Sequence, residues 1–303
     1  MLVVQQVVNG LLIGGVYALF ATGLTLTMGV LRVLNMTHGV TLSICAIAGV
    51  EIADAWNMPF PLLVLSGGVV GAIVGAFVET VAFRPLRRSR RHDEHSREWS
   101  TLISSLALLT ILQSLAQLYT FNFTDNQILR FPPDTFTSTL IEIGGIRIRS
   151  ISIVMFVVAC VLTLLTWWVI RFTRVGSAAR AVAADPEAAE MLGVNVNRYA
   201  LAIVGASGAM AGIAGILIGV AFNSVDFLTG EQYLLKGFAV IVLGGIGSIT
   251  GSLIGGLILG IAEGLTVHFI GSSWIEAVAF GLLFLVLVVR PQGLLGQAEV
   301  DRA

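Results

Sequence analysis

Long apolar runs recur from one end of this chain to the other, and they limit its fold more than any other feature. A helix crosses a bilayer with about 20 apolar residues, because every backbone N–H and C=O must be satisfied within the segment. Runs of this kind cover residues 7–28, 40–55, 61–83, 102–120, 151–170, 199–222 and 274–289. An eighth run, 233–270, is too long for one crossing at about 1.5 Å rise per residue. Its middle reads Gly244-Gly245-Ile246-Gly247-Ser248-Ile249-Thr250-Gly251, which weakens a helix and favours a turn. We read it as two helices, the first short or re-entrant. The expected fold is an all-α polytopic membrane protein with about eight transmembrane helices, including a broken or re-entrant helix in the C-terminal half. Residues 1–303 are expected to form a single transmembrane domain.

Composition agrees. Only 12% of the 303 residues are charged, against about 25% in soluble domains. A net charge of -1 offers no basic surface to nucleic acid. The N-terminus lacks a basic n-region and a small-residue cleavage site, so it reads as a first span and not as a removable signal peptide. Cys45 and Cys160 both fall in apolar runs, where they serve as small hydrophobes.

Arginine gives the orientation. It concentrates in Arg84-Pro85-Leu86-Arg87-Arg88-Ser89-Arg90-Arg91, continuing to Glu98, and in the polar stretch 174–198. The positive-inside rule places both in the cytoplasm. The N-terminus and residues 121–150 then lie outside, and residues 290–303 lie inside provided the glycine-broken run makes two crossings. Glycines four apart (Gly67, Gly71 and Gly75; Gly208 and Gly212; Gly215 and Gly219; Gly251 and Gly255; Gly256 and Gly260) share helix faces and are expected at close helix contacts. Gly244, Gly245, Gly247 and Gly251 are candidates for either a gate or close packing.

The stretch 174–198 holds a short helix in its pattern of residues. Asp185 suits an N-cap and Pro186 the first helical position. Glu187 opposes the positive helix end, Ala188 and Ala189 keep the helix slim, and Gly193 suits a left-handed C-terminal stop. Such a helix on a loop beside a membrane is suited to being held by a soluble partner.

Polar residues within the spans are candidates for a solute route. Asn35, Thr37 and His38 occupy the break between the first two runs, as either a polar turn capped by Thr37 or a discontinuous helix end facing a pathway. Asn9, Thr22, Thr25 and Thr27 are suited either to a polar route or to hydrogen bonds between helices. Glu263 lies deep in an apolar run, as a structural pair or beside a hydrated cavity ahead of proton coupling. Glu79 is expected to pair with Arg84, Glu51 to reach outside water, and Lys236 to meet Glu231 or snorkel outward.

Enzymatic classes fare poorly. Lys236 is the only lysine and follows Leu235, so no Gly-Lys-Ser/Thr phosphate loop exists. There is no HExxH pair, Asp-rich prenyl-diphosphate motif or GxSxG elbow, and the four histidines are scattered. No catalytic residue, metal site or cofactor is expected on this chain.

The Glu187-Ala188-Ala189 core with Gly193 four residues on resembles the coupling loop of ABC importer permeases. One branch is matched along nearly the whole chain: permeases related to high-affinity branched-chain amino acid transport. Gly23-Leu24-Thr25-Leu26-Thr27-Met28-Gly29 and Leu34-Asn35-Met36-Thr37-His38-Gly39 resemble its first-span signature. Arg84-Pro85-Leu86-Arg87 resembles its basic loop, and Lys236-Gly237-Phe238 with Leu243 to Ser248 and Gly251 its late glycine-rich element. Arg290-Pro291-Gln292-Gly293-Leu294-Leu295-Gly296 resembles its C-terminal tag. Val40 departs from the pattern, since the family usually carries an acidic residue after the His-Gly pair.

The resemblance implies a bacterial inner-membrane importer subunit. Its implied partners are a second, related permease chain, two cytoplasmic ATPases that bind ATP and Mg, an extracytoplasmic solute-binding protein and membrane lipid. Asp185, Glu187, Ala188, Ala189 and Gly193 would couple to the ATPases. Branched-chain or related amino acids are the implied cargo. A urea or short-amide permease, and a stand-alone secondary transporter, are the alternatives.

Overall fold

The computed structural model describes residues 2–88, 94–123 and 128–296. Ser89, Arg90 and Arg91 of the basic loop, and residues 297–303 of the C-terminal segment, lie outside the described residues.

In chain order the helices are α1 Leu2–Leu31, α2 Thr37–Trp56, α3 Phe60–Val78, α4 Arg84–Arg88, α5 Glu94–Phe123 and α6 Ser150–Phe172. They continue with α7 Arg174–Ala184, α8 Pro186–Met191, α9 Val196–Phe222, α10 Thr229–Gly244, α11 Ile249–Phe269 and α12 Ile275–Val289. A π-helical turn, Glu79–Phe83, joins α3 to α4 in one continuous span. Among the described residues, eight helices are long and apolar enough to cross a membrane. The protein is thus the all-α polytopic membrane protein that the apolar runs predict.

The long run 233–270 does break in two. Gly245 and Gly247 take φ of +103° and +82°, which side chains disfavour, and Ser248 caps α11 by accepting from the Gly251 N–H at 3.0 Å. At 16 residues, α10 is about 24 Å long and cannot span a bilayer by itself.

One element has no counterpart in the sequence reading. Leu140–Ile143 and Ile146–Arg149 form an antiparallel hairpin, β1–β2, around Gly144-Gly145. Both glycines have positive φ, the condition for a two-residue hairpin turn that follows strand twist.

The chain divides into two compact units. Unit 1 comprises Met1–Thr25, Ser138–Trp167 and Leu235–Ala303; unit 2 comprises Leu26–Thr137 and Trp168–Leu234. In unit 1 the α1–α11 seam is glycine on glycine: a methyl at Gly10 would strike the Gly260 carbonyl, and one at Gly14 the Gly256 carbonyl. The C-terminal tag folds back onto the end of α10. Leu294 N–H donates to Leu243 O at 2.9 Å and Leu295 N–H to Gly244 O at 3.0 Å, satisfying carbonyls that the helix end leaves free. The hairpin is tied to α1 through Gln5, whose side chain both donates to and accepts from the Arg147 backbone at 2.7 Å.

Unit 2 is built on α9. The antiparallel α3 lies along it through Gly67 on Gly212, Gly71 on Gly208 and Gly75 on Val204. On another face α2 runs parallel to α9, from His38 beside Ser207 to Gly49 against Ile216. An apolar cluster of Val33, Val78, Ala82, Phe83, Leu108 and Val204 closes one end of this unit.

Candidate functional site

The residues singled out in the sequence fall into three separate places. The first is the break between α1 and α2, inside unit 2. Asn35, Thr37 and His38 are all buried, so this is no solvent-facing turn. Thr37 does not cap the helix as expected. Asn35 Oδ1 instead accepts from Thr37 N–H at 3.1 Å and from its hydroxyl at 2.6 Å. His38 Nδ1 lies 3.2 Å from the Ser207 hydroxyl. Ser207 is well inside α9, so α2 starts within the body of the unit and not at its rim.

A second helix starts at the same level. The backbones of Gly39 and Gly230 touch, bringing the first turn of α10 against the first turn of α2. Ser43 Oγ accepts from Gly230 N–H at 2.8 Å, and Asp226 Oδ1 accepts from Leu228 N–H at 2.9 Å and from the Thr229 hydroxyl at 2.8 Å. Two positive helix ends therefore meet among hydroxyls and amides, with the Asp226 carboxylate at the start of α10. Interrupted helices of this kind are tolerated at membrane depth only where protein or a polar cavity surrounds them. The sequence reading found α2's break from its polar residues but not the partner start at Thr229, although Asn223, Ser224, Asp226 and the run Thr229-Gly230-Glu231-Gln232 mark it.

The second place is in unit 1. Glu263 has the structural pair that was one of its two readings: Lys236 Nζ lies 2.9 Å from Oε1 and 3.0 Å from Oε2. Lys236 neither pairs with Glu231 nor snorkels, because the buried carboxylate one helix away offers an opposite charge without a path to water. Tyr17 completes the group, donating to Glu263 Oε2 at 2.7 Å and accepting from Lys236 at 2.9 Å. Asn9, nearer the start of α1, accepts from the Gln5 side chain at 3.1 Å. Thr25 bonds to Ser252 on α11 and so knits two helices, whereas Thr22 donates back to Ala18 O at 2.7 Å within α1 itself.

Two other ionic expectations change. Glu79 pairs with Arg87 and not with Arg84, since the wider π-turn rotates the residues beyond it. Glu51 does not merely reach for water but hydrogen-bonds Tyr119 of α5.

The third place is the exposed helix of 174–198. Asp185 is the N-cap, its Oδ1 accepting from Glu187 N–H at 2.9 Å and Ala188 N–H at 3.0 Å. Pro186 begins α8 and Gly193, at φ +85°, follows its end. Ala189 is buried with Val182 and Val196, so α8 is seated on α7 and the start of α9. Behind it, Arg180 donates to Ile170 O and Arg171 O, closing the carbonyl end of α6 onto α7. Sequence reasoning missed both α7 as a helix of its own and the two side chains α8 presents outward. Met191 is 84% exposed and Leu192 82%, while Glu187 and Glu190 are exposed beside them. Beneath α8 a cavity of about 620 Å³ is walled by Val30 to Val33, Phe83, Arg87, Thr101, Val182 to Glu187 and Val196.

Gly244 and Gly251 meet face to face, and Gly245 lies against Gly293 and Gly296 of the C-terminal tag. The close-packing reading of this turn has direct geometry; Gly247 contributes its positive φ. Among the described residues no group of His, Cys, Asp or Glu is arranged to hold a metal.

Among the described residues, eight helices long and apolar enough to cross a membrane, with interrupted helix starts and an exposed loop helix, define a multi-pass membrane protein. The chain matches the model for the family described as branched-chain amino acid transport system / permease component over residues 6–288, and it belongs to that family. It is 35% identical to the high-affinity branched-chain amino acid transport system permease protein LivH of Escherichia coli K12, covering 98% of this chain and 97% of that one. It is 34% identical to the corresponding permease protein BraD of Pseudomonas aeruginosa, with the same coverage. The ribose import permease protein RbsC of Haemophilus influenzae is a more distant relative, at 24% identity over 94% of this chain and 82% of its own. It is thus a multi-pass protein of the inner membrane.

Proposed function

We propose that this chain forms the membrane pathway of an ATP-binding cassette importer for branched-chain or related amino acids. Its energy comes from two separate cytoplasmic ATPases, which alone bind ATP and Mg. Residues 1–303 act as one permease domain, a related second permease chain completes the membrane core, and an extracytoplasmic solute-binding protein delivers the cargo. The family supports permease function; α8 supports the coupling.

The observation that carries the coupling is the contrast between the two faces of α8. Its inner face is fixed by Ala189 against Val182 and Val196, and its outer end exposes Met191 and Leu192. Two large apolar side chains in water on a helix capped at its start make a rigid peg for a cleft in a soluble partner. A push on that peg reaches α9 directly, since α8 and α9 share the small core at Val196. Because α9 carries the glycine seam of unit 2 and Ser207 beside His38, its tilt moves the interrupted helix starts.

The test is flux. Labelled leucine uptake into proteoliposomes is compared for this chain with its permease partner alone, and for the assembly with ATPases, receptor and ATP. Uptake only in the complete, ATP-supplied system is expected. Solute flux through the membrane subunits alone, without ATP, would overturn the reading and return the chain to the secondary transporters.

A further inference from the structure

The cavity beneath α8 lies wholly within unit 2, and nothing in the coupling route requires it. Protein interiors are close-packed, and a lever seated on a filled core would carry force at least as well as one seated over a space. At about 620 Å³ the space is far larger than a packing defect. It falls within the range of small-ligand pockets, about 300–1,000 Å³, which are apolar with a few placed polar groups.

Its walls have that composition. Leu31 and Val33 at the end of α1, Phe83 of the π-turn and Val182 of α7 give apolar surface. Arg87 brings a guanidinium whose side chain is 21% exposed, and among the described residues it commits one of its five donors, to Glu79. Arg32, exposed where α1 ends, also lines the space. Its φ of +52° is a left-handed conformation that a bulky residue keeps only where its surroundings impose it. From α8 come two carboxylates, Asp185 and Glu187. Asp185 already serves as the helix cap, whereas Glu187 is an exposed carboxylate at the first turn.

A ligand that answers all of these groups carries a carboxylate, an ammonium and an apolar side chain. A plain anion, such as a phosphate or an acidic lipid headgroup, would meet the α8 carboxylates as like charge. An uncharged apolar molecule would leave both signs of charge unanswered. The walls belong to α8 and to the basic segment at Arg87, which the positive-inside rule places in the cytoplasm. A solute reaching this cavity from water has therefore already crossed the membrane. None of the lining residues belongs to the interrupted helix starts at Thr37 and Thr229.

Resting on the amino acid reading above, we propose that this cavity is a product site, which the imported amino acid occupies from the cytoplasm to slow further import. The solute carboxylate meets Arg87 and Arg32, its ammonium meets Glu187, and its side chain lies on Leu31, Val33, Phe83 and Val182. Bound there, it braces α7 and α8 against the end of α1 and the π-turn. The brace works by binding the resting arrangement of α8 more tightly than the displaced one.

The test uses the complete transporter in proteoliposomes with its cytoplasmic face inward. The lumen holds ATP with no leucine, unlabelled leucine, or leucinol, which lacks the carboxylate; receptor and labelled leucine are outside. Lumenal leucine is expected to lower the initial rates of uptake and hydrolysis at least about fivefold, the low end of coupling between two sites. Leucinol is expected to leave both unchanged. Ala183→Leu puts a larger side chain on the cavity wall. It is expected to keep wild-type rates with an empty lumen and to lose most of the inhibition. Should that variant fail to assemble, Ala184→Leu decides, since this exposed position lines the same space. Rates that ignore lumenal leucine would overturn the proposal, as would equal inhibition by leucinol. Inhibition undiminished in the filled variant would also overturn it, because the product would then act elsewhere on the route. If the wild-type assembly moves no leucine with ATP but moves another solute, the amino acid reading fails first and the product site with it.

Discussion

Unit 1 and unit 2 each hold a seam where two helices meet glycine to glycine, yet they use it differently. Along α3 and α9 the seam serves close approach: Gly67, Gly71 and Gly75 lie on Gly212, Gly208 and Val204, with neutral groups nearby. Along α1 and α11 the same device, Gly10 on Gly260 and Gly14 on Gly256, brings Tyr17 and Glu263 together beside Lys236. The first seam shows what the spacing of small residues achieves by itself, namely dense contact without a hydrophobic driving force between helices. The second shows the same contact used to hold charge at a depth where charge is costly. Close packing is thus a shared framework, and the ion pair is what the second seam adds to it.

The largest expected effect separates the seams by charge. Lys236→Met alone leaves Glu263 buried without its partner and is expected to destabilise the protein by about 3 kcal/mol, the low end of the usual range because the lysine is partly exposed. Adding Glu263→Leu is expected to restore most of that loss, as a shift in thermal unfolding of the purified protein will show. A double variant as unstable as the single one would mean that the pair is a structural keystone.

Next comes the neutral seam. Gly71→Ala forces a methyl into the Gly208 carbonyl and is expected to cost about 1–3 kcal/mol, with no effect specific to one solute. Gly260→Ala runs into the Gly10 carbonyl and should cost a similar amount. A smaller effect follows at α8, where Asp185→Ala removes the cap and is expected to cost about 1 kcal/mol locally. Receptor-stimulated ATP hydrolysis should fall further than stability does, because the peg loses its fixed direction. Replacing Glu187 or Gly193 should likewise lower stimulated hydrolysis while membrane insertion stays intact. Smallest of all is Gly281→Ala, where nothing lies within 4 Å of the added methyl. It is expected to be neutral or stabilising by up to about 1 kcal/mol, since alanine is the better helix former.

Much of this architecture could be read from the chain because apolar length and glycine spacing are local properties. The spans, the break at Gly244 to Gly251, the Asp185 cap and the seam at Gly67 to Gly75 all follow from residues near one another in sequence. What escaped the reading depends on distant residues. Sequence proximity favours Glu231 as the partner of Lys236, whereas the partner sits on the next helix at Glu263. A regular helix pairs Glu79 with Arg84, one turn on, whereas the π-turn puts Arg87 there instead. The hairpin at Leu140–Ile143 and Ile146–Arg149 was legible in principle, as alternating apolar residues around Gly144-Gly145, but its ties to Gln5 were not. Met191 and Leu192 look like the inner side of a short helix until the structure shows Ala189 occupying that place.

The central claim is that solute crosses this protein only when a separate ATPase drives α8. It is tested most directly by leucine uptake in the complete, ATP-supplied transporter carrying Met191→Asp and Leu192→Asp. These changes put charge on the exposed end of α8 and leave the Val182–Ala189–Val196 core untouched. The expected result is a transporter that inserts and melts like wild type, while receptor-stimulated hydrolysis and leucine uptake fall together by at least about tenfold. Wild-type uptake in that variant would contradict the claim.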